Sequence, residues 1–121
     1  MEAHAKRVSP DECCGLLIGT RARVESVYPA RNLLQSRTSY RVDPVDHFAA
    51  IRFARETHLA VVGAYHSHVE TEAFPSVKDE SEAADLDFLY IILSLLTGET
   101  RGFCLIRKKL VAVELQVVYQ I

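Results

Sequence analysis

Continuous apolar runs of strand length dominate the pattern of this chain. Cys13–Ile18, Ala60–Tyr65 and Phe88–Leu95 are apolar on both faces, which is typical of strands buried between helices. Turn residues after the first run predict an antiparallel hairpin, with a loop beginning at Pro29. More polar segments complete the predicted strands: Arg21–Tyr28, a segment around Thr38–Val42, Arg101–Arg107 and Leu110–Tyr119.

Three other segments predict helices. Residues 1–9 have the composition of the last turns of a helix. The run Asp43–Asp46 (DPVD) combines an N-cap, a proline at the first helical position and an acid in the first turn, so a helix should run from there to about His58. Ser76 is a further N-cap, ahead of the acidic helical segment Glu80–Asp87. Strands alternating with helices and hairpins predict an α/β fold with a mixed, partly antiparallel sheet covered on both faces.

Composition limits the function classes. A single domain over residues 1–121 is expected, with 49% hydrophobic and 25% charged residues, as in soluble globular proteins. No apolar run approaches the roughly 18 residues of a membrane span, and a net charge of −2 offers no basic surface to nucleic acid or an anionic membrane. The start lacks a signal-peptide pattern, and three cysteines do not suit a disulfide framework, so a cytoplasmic location is expected.

Two histidines that follow the central apolar run suggest a metal site. If the strand beginning at Ala60 continues through them, His66 and His68 lie two residues apart and point to the same side. Imidazole nitrogens bind zinc well, at about 2.0–2.1 Å. A carboxylate would complete three protein ligands and leave the fourth position to water, as in catalytic zinc sites. Asp79 can supply this carboxylate if the intervening loop folds back.

Two interpretations of Ser76 and Asp79 remain open. Their spacing is that of a helix N-cap and its reciprocal capping residue, and a carboxylate that binds a metal is less free to cap. We therefore assign the metal to Asp79, and capping or catalysis to Ser76. A histidine pair or a Ser-x-x-Asp motif alone is common by chance, so the hypothesis rests on their conjunction.

The complete spacing resembles the His-x-His-x7-Ser-x-x-Asp signature of the JAMM (MPN+) metalloproteases. The segment from His66 to Asp79 fits it at every defined position. The family also has a glutamate in a Pro-x-Glu-x-Cys-Gly-Leu-Leu-x-Gly run, and residues 10–19 (PDECCGLLIG) match it with Glu12. Two features depart from the family: Val69 stands where proline is common, and the strand and longer helix that usually precede this point are absent or cut short.

The resemblance implies a fold, a cofactor and an activity. The fold is the three-layer α/β/α arrangement of JAMM domains, which is cytidine-deaminase-like. One zinc per chain would be held by His66, His68 and Asp79, with Glu12 moving a proton and Ser76 donating a hydrogen bond to the oxyanion. The activity would be that of a peptidase or isopeptidase cutting after the C-terminal Gly-Gly of a ubiquitin-like or sulfur-carrier β-grasp protein. The short segment between Asp79 and the next strand leaves no room for the insertion of eukaryotic deubiquitinases, which favours the compact prokaryotic type.

Two alternatives belong to other function classes. Family members without the ligands (MPN−) act as interaction scaffolds, and RadC-like domains share the His-x-His pattern. The complete ligand set favours the enzyme over the scaffold, and the RadC-like domain is the weaker alternative.

The remaining polar and sulfur-containing residues are weaker candidates. Three histidines show no ligand spacing and are expected at the surface: His4, His47 and His58. Cys14 and Cys104 are expected as inert core thiols, whereas Cys13, beside Glu12, could contact the site. Core packing is expected for Tyr65, and Asp85 and Asp87 are expected on the solvated face of the short helix.

Overall fold

The computed structural model describes residues 1–21 and 23–117 of the chain. Within these residues, six strands form one sheet: β1 (Cys14–Thr20), β2 (Arg23–Ala30), β3 (Ala60–His68), β4 (Leu89–Ser94), β5 (Thr100–Ile106) and β6 (Lys109–Val113). The three helices of the same part of the chain are α1 (Glu2–Val8), α2 (Pro44–Glu56) and α3 (Val77–Glu82). The strand order is β2-β1-β3-β4-β5-β6, and only the β3–β4 pairing is parallel. The predicted α/β fold with a mixed sheet is confirmed.

Helices pack on both faces of this sheet. Ala5 of α1 shares a core cluster with Leu17 of β1, whereas Ala54 of α2 shares another with Leu16. Because adjacent residues of a strand point to opposite faces, these two clusters lie on the two sides of the sheet. The three-layer arrangement is therefore confirmed. No helix among the described residues has the length and apolar character that crossing a membrane requires.

Local sequence explains where α2 begins. The side chain of Asp43 accepts a hydrogen bond from the Val45 backbone N–H at 2.9 Å, and Pro44 occupies the first helical position. The helix ends at Glu56, two residues before the expected His58.

The predicted strand around Thr38–Val42 is wrong. This segment makes one isolated bridge, between Asn32 and Val42. Two of its other backbone groups, the Ser39 carbonyl and the Arg41 N–H, bond to the Asn32 side chain. A side chain that satisfies backbone groups in this way replaces the ladder of a strand.

Other element boundaries also differ from expectation. Pro29 is part of β2, where it pairs with Gly15. The helix expected at Glu80–Asp87 lies earlier in the chain: α3 starts directly after Ser76 and ends at Glu82. Asp85 and Asp87 are exposed, but they lie beyond the end of this helix. The last strand ends at Val113, and the final part of its predicted range, residues 118 and 119, lies outside the described residues.

His4 is not the surface residue that the sequence suggested. It is 8% exposed, and its Nδ1 lies 2.9 Å from the hydroxyl of Tyr65. Tyr65 is fully buried, as expected, and its ring occupies the space that a side chain at position 15 would need. Gly15 therefore lets this aromatic ring pack directly on the neighbouring strand. The two other histidines are half-buried at position 47 and exposed at position 58.

Candidate metal centre and active site

The two histidines are part of β3 itself. His66 pairs with Cys14 of β1 and Ile92 of β4, and His68 pairs with Ser94 of β4. Their side chains project from the same face of the sheet, and they are 4% and 5% exposed. The extended backbone of a central strand thus fixes the spacing of the two imidazoles.

Three candidate ligand atoms converge at the end of β3. His66 Nε2 lies 3.2 Å from His68 Nε2 and 3.2 Å from Asp79 Oδ2, and His68 Nε2 lies 3.0 Å from Asp79 Oδ2. Ligands at about 2.0–2.1 Å from a tetrahedral zinc ion are about 3.3 Å apart. The triangle of nitrogen and oxygen atoms is therefore of the size that zinc requires.

The hydrogen bond made by Nδ1 of His68 also favours a cation between His68 Nε2 and Asp79. His68 Nδ1 lies 2.8 Å from the Glu72 carbonyl oxygen, which can only accept, so Nδ1 donates. In the neutral ring Nε2 then carries a lone pair, and it faces the Asp79 carboxylate oxygen. Two acceptors at 3.0 Å need a proton or a metal between them. The Glu72 carbonyl would thus be the outer partner that orients His68 if this imidazole binds a metal.

Asp79 both caps α3 and faces the histidines. Its N–H donates to Ser76 Oγ at 3.0 Å, and its Oδ2 accepts from the Ser76 N–H at 2.9 Å, which completes a capping box. The same Oδ2 faces both imidazoles. The conflict between capping and metal binding that the sequence suggested therefore does not arise, because one oxygen has lone pairs for both.

Burial and charge act against each other on the pKa values of this cluster. Burial lowers the pKa of His66. Burial also acts to lower the pKa of His68, but Asp79 and the Glu72 carbonyl outweigh it and raise the pKa. Burial acts to raise the pKa of Asp79, yet the hydrogen bonds of the two histidines hold it well below its usual range. The carboxylate is therefore ionised, as a metal ligand must be.

Glu12 is buried on the same side of the sheet, two residues before β1 begins. Cys14 pairs with His66, and the Cys13 carbonyl accepts from the Ser67 N–H at 3.1 Å, so continuing this register brings Glu12 opposite His68. The Glu12 side chain is buried, with the residue only 4% exposed, and its Oε1 has no hydrogen-bond partner among the described residues. Burial raises the pKa of Glu12 to about 7, and the charge on His68 partly opposes this.

We expect the metal-free protein to lose stability as the pH rises through the titration of Glu12. Between the ordinary pKa of 4.5 and the folded value of about 7, the native state binds more protons than the unfolded state. Glu12→Gln removes this ionisation. The metal-free variant and the metal-free wild type should therefore be similarly stable near pH 4, and the variant should be more stable at pH 8 by up to about 3 kcal/mol. Urea unfolding at both pH values measures the difference; a variant less stable at pH 8 would contradict the buried, unpartnered carboxylate.

Ser76 combines exposure with a hydroxyl that still has a proton to donate. Its oxygen accepts from the Asp79 N–H, and a serine hydroxyl keeps its own O–H when it accepts. The residue is exposed at the start of α3, next to the three converging atoms. Capping and hydrogen-bond donation to a ligand are therefore compatible.

Sequence reasoning missed Tyr40, and it was wrong in bringing Cys13 to the site. The ring of Tyr40 stacks on His66, with centroids 4.4 Å apart and planes at 22°. Only the folding of the loop after β2 places it there, and no local pattern indicates this. Cys13 does not face the histidines, since its side chain belongs to the core cluster on the α1 side. Cys14, on the face of His66, is fully buried, as expected of a core thiol.

Fold and site together define a class, a mixed-sheet α/β protein in which three candidate metal ligands converge beside a buried glutamate. Residues 1–105 match the family model described as prokaryotic homologs of the JAB domain. The chain belongs to this prokaryotic JAB family.

Similar proteins agree with this membership. A CysO-cysteine peptidase of Mycobacterium tuberculosis is 38% identical over 96 residues, which cover 78% of this chain and 66% of that protein. A desampylase of Pyrococcus furiosus is 31% identical over 109 residues, covering 90% of this chain and 76% of that protein. A solution structure of a protein from Desulfitobacterium hafniense superposes with a TM-score of 0.83 at 34% identity, covering 93% and 82%. The chain spans just under two thirds of the mycobacterial relative.

Proposed function

We propose that this chain is a single zinc-dependent peptidase or isopeptidase domain that hydrolyses the bond after the C-terminal Gly-Gly of a ubiquitin-like or sulfur-carrier protein. The observation that carries the proposal is the convergence of His66, His68 and Asp79 close to the buried Glu12, whose Oε1 has no hydrogen-bond partner in the described part of the chain. A metal triangle alone suits a structural site equally well. A carboxyl group with a pKa near neutrality beside it is what hydrolysis additionally needs.

Each protein group has a defined task in this reaction. Glu12, ionised, takes a proton from the water that attacks the carbonyl carbon of the terminal glycine. The Ser76 O–H donates a hydrogen bond to the oxygen on which negative charge develops. Glu12 then gives its proton to the leaving amine as the C–N bond breaks, so that one carboxyl serves as base and then as acid.

Zinc held by His66, His68 and Asp79 would polarise the scissile carbonyl and lower the pKa of a water molecule to about 7. The protein groups around it keep this position defined. Asp79 is fixed by the first turn of α3, and His68 is fixed by the Glu72 carbonyl. The loop between them is itself tied to β4, because Ser94 Oγ donates to the Thr71 carbonyl at 2.6 Å.

A protein conjugate is the substrate class that the relatives support. The two curated relatives are named as a CysO-cysteine peptidase and a desampylase. We therefore assign a small carrier protein ending in Gly-Gly as the acyl side of the bond. An odd cysteine count with an adjacent buried pair, Cys13 and Cys14, is consistent with action in the cytoplasm.

Metal removal tests the proposal. Purified protein is treated with a chelator, and its cleavage of a fusion between a Gly-Gly-ended carrier and a short peptide is followed by mass spectrometry before and after adding one equivalent of zinc. Cleavage should stop on chelation and return with zinc. Cleavage that persists in demonstrably metal-free protein would refute the proposal, as would intact fusion at full zinc occupancy.

Ser76→Ala should lower kcat by about 10²–10³-fold, the usual effect of losing one oxyanion donor. The helix should also lose part of its capping box, so unfolding must be measured in parallel. Val77→Ala is the matched control, since Val77 starts the same helix, is 88% exposed and makes no capping bond. Equal kcat in Ser76→Ala and in the control would leave Ser76 a cap only.

The scaffold and RadC-like alternatives are less well supported. A scaffold without catalysis has no need of three converging ligand atoms or of an unpartnered buried carboxyl, which costs stability. The family membership and the named peptidases also favour hydrolysis.

A further inference from the structure

The loop between β2 and α2, residues 31–42, is organised by the side chain of Asn32. Its Oδ1 accepts from the backbone N–H groups of Leu34 and Arg41, both at 3.0 Å. Its Nδ2 donates to the carbonyl of Ser39 at 3.0 Å and to that of Glu12 at 3.1 Å. A primary amide offers two donors and an acceptor with two lone pairs, and here all four are used. This half-buried residue is therefore fully hydrogen-bonded by backbone groups that lie far apart in the sequence.

The same loop holds the backbone of Glu12 from both sides. The Glu12 carbonyl accepts from Asn32 Nδ2, and the Glu12 N–H donates to the Ser36 carbonyl at 2.7 Å. Glu12 lies before the first residue of β1, so the sheet does not hold it. Since Oε1 of its carboxyl has no hydrogen-bond partner within residues 1–21 and 23–117, these backbone bonds contribute to the position of the carboxyl.

At its other end the loop contacts a candidate metal ligand. Tyr40 stacks on the imidazole of His66. The residues on either side of Tyr40 are both hydrogen-bonded to the Asn32 side chain, Ser39 through its carbonyl and Arg41 through its N–H. One amide side chain thus links the backbone of Glu12 to the aromatic ring that packs on His66.

We propose that Asn32 is a positioning residue of the hydrolytic site, which sets the Glu12 carboxyl relative to the metal ligands by clamping loop 31–42. This inference rests on the proposed function. It differs from a general stabilising role because the clamp acts on the reaction through Glu12. Its removal should therefore reduce kcat, leave KM nearly unchanged, and have no further effect once Glu12 is disabled.

A double-mutant cycle tests the clamp. In the wild-type background, Asn32→Ala should lower kcat by about 10–100-fold, as outer partners of metal sites typically do, with one zinc still bound per chain. In the Glu12→Gln background, the same substitution should change kcat by less than about twofold, because residues that act as a unit are non-additive. Ser39→Ala is the control, since it keeps the carbonyl that Asn32 bonds. An equal loss in both backgrounds would overturn the proposal.

Two further measurements keep the test decisive. Asn32→Asp retains the two bonds to Oδ1 but loses both donors, and it replaces Asn32→Ala in the cycle if the alanine variant does not fold. Hydrogen exchange of zinc-loaded protein should show faster exchange of the Glu12 and Arg41 amides in either variant, with the Ser67 amide of β3 unchanged. Unchanged exchange at Glu12 would show that the loop holds it without Asn32. Zinc-loaded wild type that cleaves nothing would instead refute the proposed function.

Discussion

Glu12→Gln should slow hydrolysis of a carrier conjugate by about 10²–10⁴-fold, the usual contribution of general acid–base catalysis. Glutamine keeps the size of the side chain but cannot accept the proton of the attacking water. Because Glu12 is not one of the three converging ligand atoms, the variant should still bind one zinc and still bind the carrier. Turnover of a carrier–peptide fusion, with zinc content measured on the same sample, gives the result.

Asp11→Asn is the matched control for this substitution. Asp11 is the residue next to Glu12 and lines the same pocket. The substitution therefore removes a neighbouring carboxylate and leaves Glu12 in place. The control should turn over at close to the wild-type rate. Wild-type turnover in zinc-replete Glu12→Gln would remove Glu12 from the mechanism, whereas a variant that had lost zinc would make Glu12 part of the metal site.

His68→Ala should abolish cleavage and weaken zinc binding by more than about 100-fold, since losing even an outer partner of a ligand commonly costs about 10–100-fold. The protein should nevertheless remain folded. His68 is the last residue of β3, and the apolar clusters on both faces of the sheet do not include it. Zinc titration, cleavage and circular dichroism of the same preparation provide the three readouts.

His47→Ala is the control for loss of an imidazole, since His47 lies on α2 outside the triangle. It should bind zinc and cleave as the wild type does. An unfolded His68→Ala protein would mean that the metal site is structural, as in small domains that fold only around their zinc.

Those parts of the site whose geometry depends on neighbouring residues could be predicted from the sequence. The same-side placement of His66 and His68 follows from the twofold period of a strand, and the start of α3 follows from a capping motif. Both are properties of adjacent residues. The convergence of the two elements could be expected only from the conjunction of motifs and the family resemblance.

The loop before α2 could not be predicted in the same way. The segment around Tyr40 has strand-like composition, but its backbone groups bond to Asn32, eight residues earlier in the chain. His4 was placed at the surface for a related reason, since its partner Tyr65 is 61 residues away in sequence. Polar contacts between distant segments leave no periodic pattern, so neither Tyr40 nor His4 could be assigned from local sequence.

Cleavage in ¹⁸O-enriched water shows whether this zinc-loaded protein hydrolyses the bond after Gly-Gly. Zinc-loaded protein is incubated with a fusion of a Gly-Gly-ended β-grasp carrier to a short peptide, and both products are weighed by mass spectrometry. We expect a carrier that ends at Gly-Gly and carries one ¹⁸O in its new carboxylate, an unlabelled peptide, and no product from chelated protein or from His68→Ala. Cleavage at any other bond, or an intact fusion with zinc fully bound, would contradict it.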